Sequence, residues 1–393
     1  MSTSPWRIVE HRGRAGLQRL EADWRALYVA LPHRSRYHAF EAQLAYLDHL
    51  CDTPELARYL ALTEGRRVRA ICPLVARDDT SLRYPLHVWA LPWHPHWTIT
   101  DVLCPDAEAA AALVPAAVRF LRASMDGRRL LVLGPLPQAS AVWHGLQNMS
   151  RCSWSTHATE VSHCFDCQKP YDELMARLSK HFRRNVRSHC NKIARLEGAR
   201  FATAVGEDIL EGALEAFLSI EASGWKGQGG TGSAISLYPR LTAFYRALVA
   251  TMVGPEDHCE INSLWVDDRC VAAQFCVRTG PDYAILKIGY DQDYARLGPG
   301  QVLLSKTLER CCADPAIKRL DLVTDTPWSR DWQPETIPMR QAHLALGRVA
   351  APPLVGLIGA RYGAARRAVR ALRAANARRQ KPPRAHKSTT EGS

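Results

Sequence analysis

The 393-residue sequence predicts a mixed α/β (α+β) fold: two similar units in tandem, each a mostly antiparallel sheet flanked by helices, then a basic C-terminal helix and tail. Three observations predict it. Strand-like and helix-like segments follow nearly the same order in both halves. Three apolar strands run as a meander between 259 and 293. A Gly-Pro-Gly turn at 298–300 then opens an amphipathic helix, whereas no GxGxxG follows a strand as a doubly wound dinucleotide fold would require.

In the first half, WRIVEH at 6–11 reads as a strand. Leu17, Leu20, Trp24 and Leu27 share one face of a helix over 17–29. A second helix is expected near 40–50, then a hairpin of ARYLALTEG and RRVRAICPLVARDD turning at Glu64-Gly65. A Pro-, His- and Trp-rich loop at 91–98 precedes a helix near 107–124, the strand RLLVLGPL and a short helix at 139–148.

The second half repeats this order. A strand from about Val161 leads to two helices over 171–197, the strand FATAV, a helix at 207–223, the turn-rich GWKGQGGTGS and a helix at 236–253. The meander follows, with Asp267-Asp268 and Gly280-Pro281 as its turns. After the Gly-Pro-Gly helix comes one more apolar strand, RLDLVT.

Charge is unevenly placed. From Ala350 onward there are ten Lys or Arg against one Glu, so the tail carries +9 of the net +12. A second basic run, 177–200, holds eight Lys or Arg and one Glu. A solvated helix face and a phosphate-facing one both account for it. A helix over 354–379 could lie on an anionic membrane surface or on tRNA, or merely solubilise the chain. No apolar run reaches the roughly 18–20 residues of a membrane span, and the first residues lack an apolar signal core, so a cytoplasmic location is expected, with a peripheral one at the inner membrane face as the variant. The twelve cysteines are scattered through apolar segments and read as reduced, buried thiols. Cys164 and Cys167 beside His163 have metal-like spacing without a second pair, and His94-x-His96 is a loop, so no metal is expected.

The Gly-Pro-Gly turn carries the chemistry. Gly298 and Gly300 permit close backbone approach, Pro299 presets the first helical turn, and the helix start favours an anion, so the segment reads as a pyrophosphate cradle or as ordinary punctuation.

Glu221-Ala-Ser-Gly-Trp225-Lys226-Gly227, the glycine-rich stretch up to Ala234, Phe244-Tyr245, LKIGYDQDY and the Gly-Pro-Gly helix together resemble the CelD/BcsL-type acyltransferases of the GNAT superfamily, whose relatives act in cellulose and polysaccharide biosynthesis. The resemblance covers roughly 165–330. It implies a degenerate GNAT-like domain at 1–158, a GNAT acyltransferase domain at 159–349 and a basic tail at 350–393. It also implies acetyl-CoA, or another acyl-CoA, as co-substrate, held by Ile288 on the strand and by Leu297, Gly298, Pro299, Gly300, Gln301 and Val302 on the turn. Arg296-Leu-Gly-Pro-Gly is one residue short of the common GNAT pattern. A cradle of main-chain amides survives that departure.

Acyl transfer to an amine needs a base, a donor to the thioester oxygen and an acid for the leaving thiolate. Glu221 is the expected base, with a surface pair to Lys226 as the structural reading. Tyr290 is the candidate acid, with Asp291 beside it. Trp225, Lys226, Lys287, Asp325 and Trp328 are the expected acceptor-side residues, each also explicable as core or rim. The expected function is acyl-CoA-dependent N-acylation, most simply N-acetylation, of a small-molecule or sugar-type amine. The alternatives are a FemX-like aminoacyltransferase using aminoacyl-tRNA and a non-catalytic GNAT-derived scaffold. The sequence leaves the oligomeric state open.

Overall fold

A computed structural model describes residues 5–79, 85–124, 126–147, 149, 152–224, 226–347 and 352–362. The first half holds β1 (Trp6–Arg12), α1 (Gly13–Arg19), α2 (Glu21–Ala30), α3 (Phe40–His49), β2 (Arg58–Glu64), β3 (Arg67–Asp79), β4 (Leu86–Ala90), α4 (Ala107–Ala123), β5 (Leu130–Pro137), α5 (Val142–Gln147) and β6 (Trp154–Ala158). The second begins with β7 (Ser162–Asp166), α6 (Tyr171–Arg177), α7 (Lys180–Ile193), β8 (Arg200–Val205), α8 (Leu214–Ser223) and α9 (Pro239–Thr251). It continues with β9 (Asp257–Val266), β10 (Arg269–Thr279), β11 (Asp282–Tyr290), α10 (Pro299–Ala313), β12 (Arg319–Asp321), β13 (Glu335–Ile337) and β14 (Met339–Ala345), before α11 at 352–362.

Two seven-stranded sheets result, ordered β1-β2-β3-β4-β5-β14-β6 and β13-β7-β12-β11-β10-β9-β8. They share one plan. Four antiparallel strands lead to a helix, α4 or α10, which crosses over to a parallel fifth strand. The sixth strand, β6 or β13, leaves a gap beside the fifth, and the next strand in the chain fills the gap in the other sheet. So β7 lies between β12 and β13, while β14 lies between β5 and β6. The domain division expected at 158/159 is therefore crossed by β14, which pairs in the first sheet although it falls within 159–349. Sequence periodicity marks a strand and not its partner, which is why the exchange is not legible there.

Local sequence explains most elements. Asp106 caps α4 by accepting from the Ala109 amide at 2.7 Å, and Ser179 caps α7 through Phe182 N at 3.2 Å. Asp267 and Gly280 take positive φ at the two hairpin turns. Two expected helices are interrupted. The first divides at Leu20, and the one at 207–223 is broken at Gly212, whose φ of 149° no L side chain adopts readily.

One core spans both halves. Tyr37, Phe40 and Trp97 from the first pack with Phe217, Phe244 and Phe275 from the second, with Trp97 edge-on to Phe244 at 6.3 Å. α11 lies on the first sheet, where Val355 and Ile358 meet Val88, Ala90 and Val132. The rest of the helix expected at 354–379, and the basic tail beyond it, lie outside the described residues. No described helix is long and apolar enough to cross a membrane.

Candidate active site

The site is built on β11, which pairs with β10 along its whole length but with β12 only at Asp282–Ala284. From Ile285 to Tyr290 its other edge has no strand partner among the described residues. A cavity of about 580 Å³ opens there, lined by both halves. The Ile288 carbonyl accepts from Lys226 Nζ at 2.9 Å, which marks the edge as open. A strand residue directs its N–H and C=O to the same edge, so the Ile288 amide faces the cavity as a donor for a thioester oxygen.

A bulge sorts the side chains of β11 between two faces. Phe275 pairs with Lys287 and Cys276 with Ile285, so Leu286 is the extra residue. Ile288 and Tyr290 then face α10: a Cβ on Gly300 would lie 3.6 Å from Tyr290 Cδ1 and 4.0 Å from Ile288 Cδ1. Lys287 and Gly289 face α8. Gly289 permits that packing, because a Cβ there would come within 2.7 Å of Glu221 Cα.

On the α10 side the expected cradle is more selective than the sequence suggests. Gly298 adopts φ 60° as the helix cap, and a Cβ there would fall 2.4 Å from His189 Nδ1. The amides of Gln301 and Val302 both donate back to Gly298 O, at 2.9 and 3.0 Å. That leaves the Gly300 amide, together with the positive end of the fifteen-residue helix, as the backbone donor toward the cavity. His189 Nδ1 lies 2.9 Å from Gln301 Oε1, so the Gln301 amino group is turned to donate elsewhere. Gly298 is thus a conformational requirement, and Gly300 is the glycine at which a Cβ would meet only ordinary contacts, with Tyr290 and Ile288.

On the α8 side, Glu221 is buried. Its Oε1 lies 3.0 Å from Lys226 Nζ, and its Oε2 accepts from Ile235 N at 2.9 Å. A carboxylate has about four lone-pair sites, so acceptor capacity remains beyond these two bonds. Lys287 lies beside this pair. Burial, then Lys226, lowers its pKa to about 8 against the pull of Glu221. His96, from the first half, bonds Tyr245 Oη through Nδ1 at 3.0 Å. Burial, then Lys287, His94 and Lys226, push it down to about 3, so it is neutral.

The cavity therefore gathers Glu221, Lys226, Lys287, Ile288, Tyr290, Gly298, Pro299, Gly300, Gln301 and Trp328. Four expected residues lie elsewhere. Asp291 accepts from Asp293 N at 3.0 Å and pairs with Arg269 at 2.5 Å, capping the turn after β11. Asp325 pairs with Arg330 at 2.6 Å and with His163 at 3.6 Å. Leu297 and Val302 pack into the core beside α7 and β9. Position after β11 suggested Asp291 and the resemblance suggested the other three, and in each case a local turn or apolar contact directs the side chain away. Trp225 lies outside the described residues. Sequence reasoning missed Tyr37, Thr98, His189, Tyr245 and Thr324 as lining residues. Two of these carried a signal: His189 as a residue of the basic run with phosphate-facing potential, and Tyr245 as part of the Phe244-Tyr245 pair in the resemblance.

All twelve cysteines are free, and no cluster of three metal-type side chains occurs among the described residues. A smaller cavity of about 250 Å³ shares Thr98, Val323 and Thr324 with the first and lies at the strand exchange.

Residues 180–330 match the model of the acetyltransferase (GNAT) domain family. No curated protein matches the chain by sequence. Among solved structures the fold is similar to FemX, at 12% identity and TM-score 0.56 over 87% of this chain and 98% of that one. It is also similar to the C-terminal domain of a putative lysylphosphatidylglycerol synthetase from Agrobacterium fabrum, at 11% and 0.52 over 86% and 96%. A tandem GNAT protein from the clavulanic acid biosynthesis pathway aligns at 9% and 0.48 over 87% and 99%. The second half is thus similar to GNAT acyltransferase domains in sequence. Because the first sheet repeats the second's plan, the fold is a tandem of GNAT-like units, as expected.

Proposed function

We propose that the protein is an N-acyltransferase of CelD/BcsL-like type that takes its acyl group, most simply acetyl, from acyl-CoA and passes it to an amine. The observation that carries this reading is the division of β11 into two faces at an open strand edge, with an anion-ready helix start on one side and a buried carboxylate on the other. The donor pyrophosphate rests at Gly300 and Gln301, and the thioester oxygen takes the Ile288 amide. The acceptor amine enters from the α8 face, where Glu221 receives its proton directly or through water as the C–N bond forms. The C–S bond breaks, and Tyr290 protonates the departing thiolate.

Acetyl-CoA calorimetry on the full chain and on Gly300→Val tests this. A Cβ at 300 meets only ordinary contacts within the protein, so the variant should keep its unfolding temperature and lose roughly 100-fold in affinity. Unchanged affinity in the variant overturns the cradle.

A second reading has its own support. Lys180, Arg184 and Arg187 lie at i, i+4 and i+7 on α7, are exposed and make no ion pair among the described residues, while His189 of the same helix reaches the cradle. An aminoacyl-tRNA donor would use such a stripe. Absent acetyl-CoA binding with steeply salt-dependent tRNA binding favours that donor.

A further inference from the structure

We propose that the acceptor carries, besides its amine, an anionic group, a carboxylate or a phosphate, and that the Lys287 ammonium binds it. This rests on the acyltransferase reading and names the acceptor class for the same site.

The geometry of β11 places Lys287 where the acceptor enters. Its cross-strand partner Phe275 belongs to the core shared with α8, and the bulge at Leu286 keeps Lys287 on that face. Gly300 and the helix start lie against the opposite face, next to Ile288 and Tyr290, so the donor's phosphates do not serve Lys287. Every other charged group on this side is already engaged. Glu221 is held by Lys226 and by the Ile235 amide, and Lys226 also donates to Ile288 O. Neutral His96 is bonded to Tyr245. Lys287 itself makes no hydrogen bond or ion pair among the described residues, and Lys226 repels it while Glu221 attracts it. The Glu221, Lys226 and Lys287 set therefore carries one uncompensated positive charge at the wall of the cavity, where Lys287 is half-buried. Keeping a cation there without a partner is costly, and an anion supplied by the ligand removes that cost. The other carboxylate lining the cavity, Asp331, belongs to the turn between β12 and β13 and is not among the groups that act on Lys287.

The test uses two matched pairs of amines: leucine with leucinamide, and glucosamine 6-phosphate with glucosamine. Each is titrated calorimetrically into the donor-free full-length protein, and each is assayed with acetyl-CoA. The expected result is that at least one anionic member binds and turns over better than its neutral partner, the two pairs telling carboxylate from phosphate. Lys287→Met should shrink that preference roughly 10- to 100-fold, as for loss of a charge-assisted bond, and Lys287→Arg should keep most of it. A panel in which neither anionic amine exceeds its neutral partner overturns the inference. So does a preference that survives Lys287→Met. Failure of acetyl-CoA to bind would overturn the donor reading alone, since the binding ratios are measured without donor.

Discussion

The helix that follows the fourth strand is built twice in this molecule, and the two copies differ at their first residues. In the first half, α4 begins behind Asp106, whose carboxylate occupies the helix start and also pairs with Arg69. Its strand β4 ends at Ala90, where its pairing with β5 also ends. In the second half, α10 begins behind Gly298 with no side-chain cap, and β11 runs six residues past its pairing with β12. One plan therefore yields a closed unit and an open one. The difference lies in a resident carboxylate against a bare amide, and in a fourth strand that stops against one that overhangs. The closed unit still takes part, because Tyr37, His96 and Thr98 form a wall of the open unit's cavity.

Substitutions that act on one unit alone can break this contrast. The largest effect is expected for Glu221→Gln, which takes the carboxylate from the buried Glu221–Lys226 pair of the open unit. Stability should fall by about 3 kcal/mol in urea unfolding, and acyl transfer should fall with it. Gly298→Val forces a β-branched residue to positive φ and into His189. A loss of about 2 to 3 kcal/mol is expected, and a variant as stable as the parent would show that the open cap needs no glycine.

Lys287→Met should act in the other direction. The folded pKa of Lys287, about 8, lies below its ordinary 10.5, so between these values the unfolded chain binds more protons and stability rises with pH. The cost of the charge is fully present below pH 8 and vanishes near 10.5. The variant should therefore gain about 1 to 3 kcal/mol at pH 7 and nearly nothing at pH 10.5. The smallest effect belongs to the closed unit. Asp106→Ala should cost about 1 kcal/mol of stability and leave acetyl-CoA affinity unchanged, and a change in affinity would mean that the two helix starts are coupled.

Legibility in the sequence followed the same division. The strands of the meander, both of its turns and the Gly-Pro-Gly helix are short-range features, and each stands within a few residues of where the sequence placed it. Glu221 and Lys287 could be singled out because they stand at the end of an apolar helix and within an apolar strand, and Gly300 because it belongs to the Gly-Pro-Gly turn. Strands β4, β6, β13 and β14 were not legible: three to seven residues long, they owe their order to neighbours distant in the chain. Asp291 shows the same limit at the site. Its position after β11 suggested the thioester, whereas Arg269 and the Asp293 amide decide its direction. The contribution of Tyr37 depends on how the halves pack, which no local pattern encodes, whereas His96 belongs to the His- and Trp-rich loop at 91–98 that could be expected to line a cleft between them.

The exchanged strands also bear on how the chain is made. As the polypeptide emerges from the ribosome, the first sheet is left with an unoccupied slot between β5 and β6, and its final strand, β14, is translated only after the whole acyltransferase-like unit. Exposed strand edges invite pairing with other chains, so that slot is a temporary hazard closed by the last strand to arrive. A chain interrupted before residue 339 would leave the first sheet unfinished even though β1 to β6 were intact. Completion of the earliest part of the molecule thus reports that the later part has been synthesised.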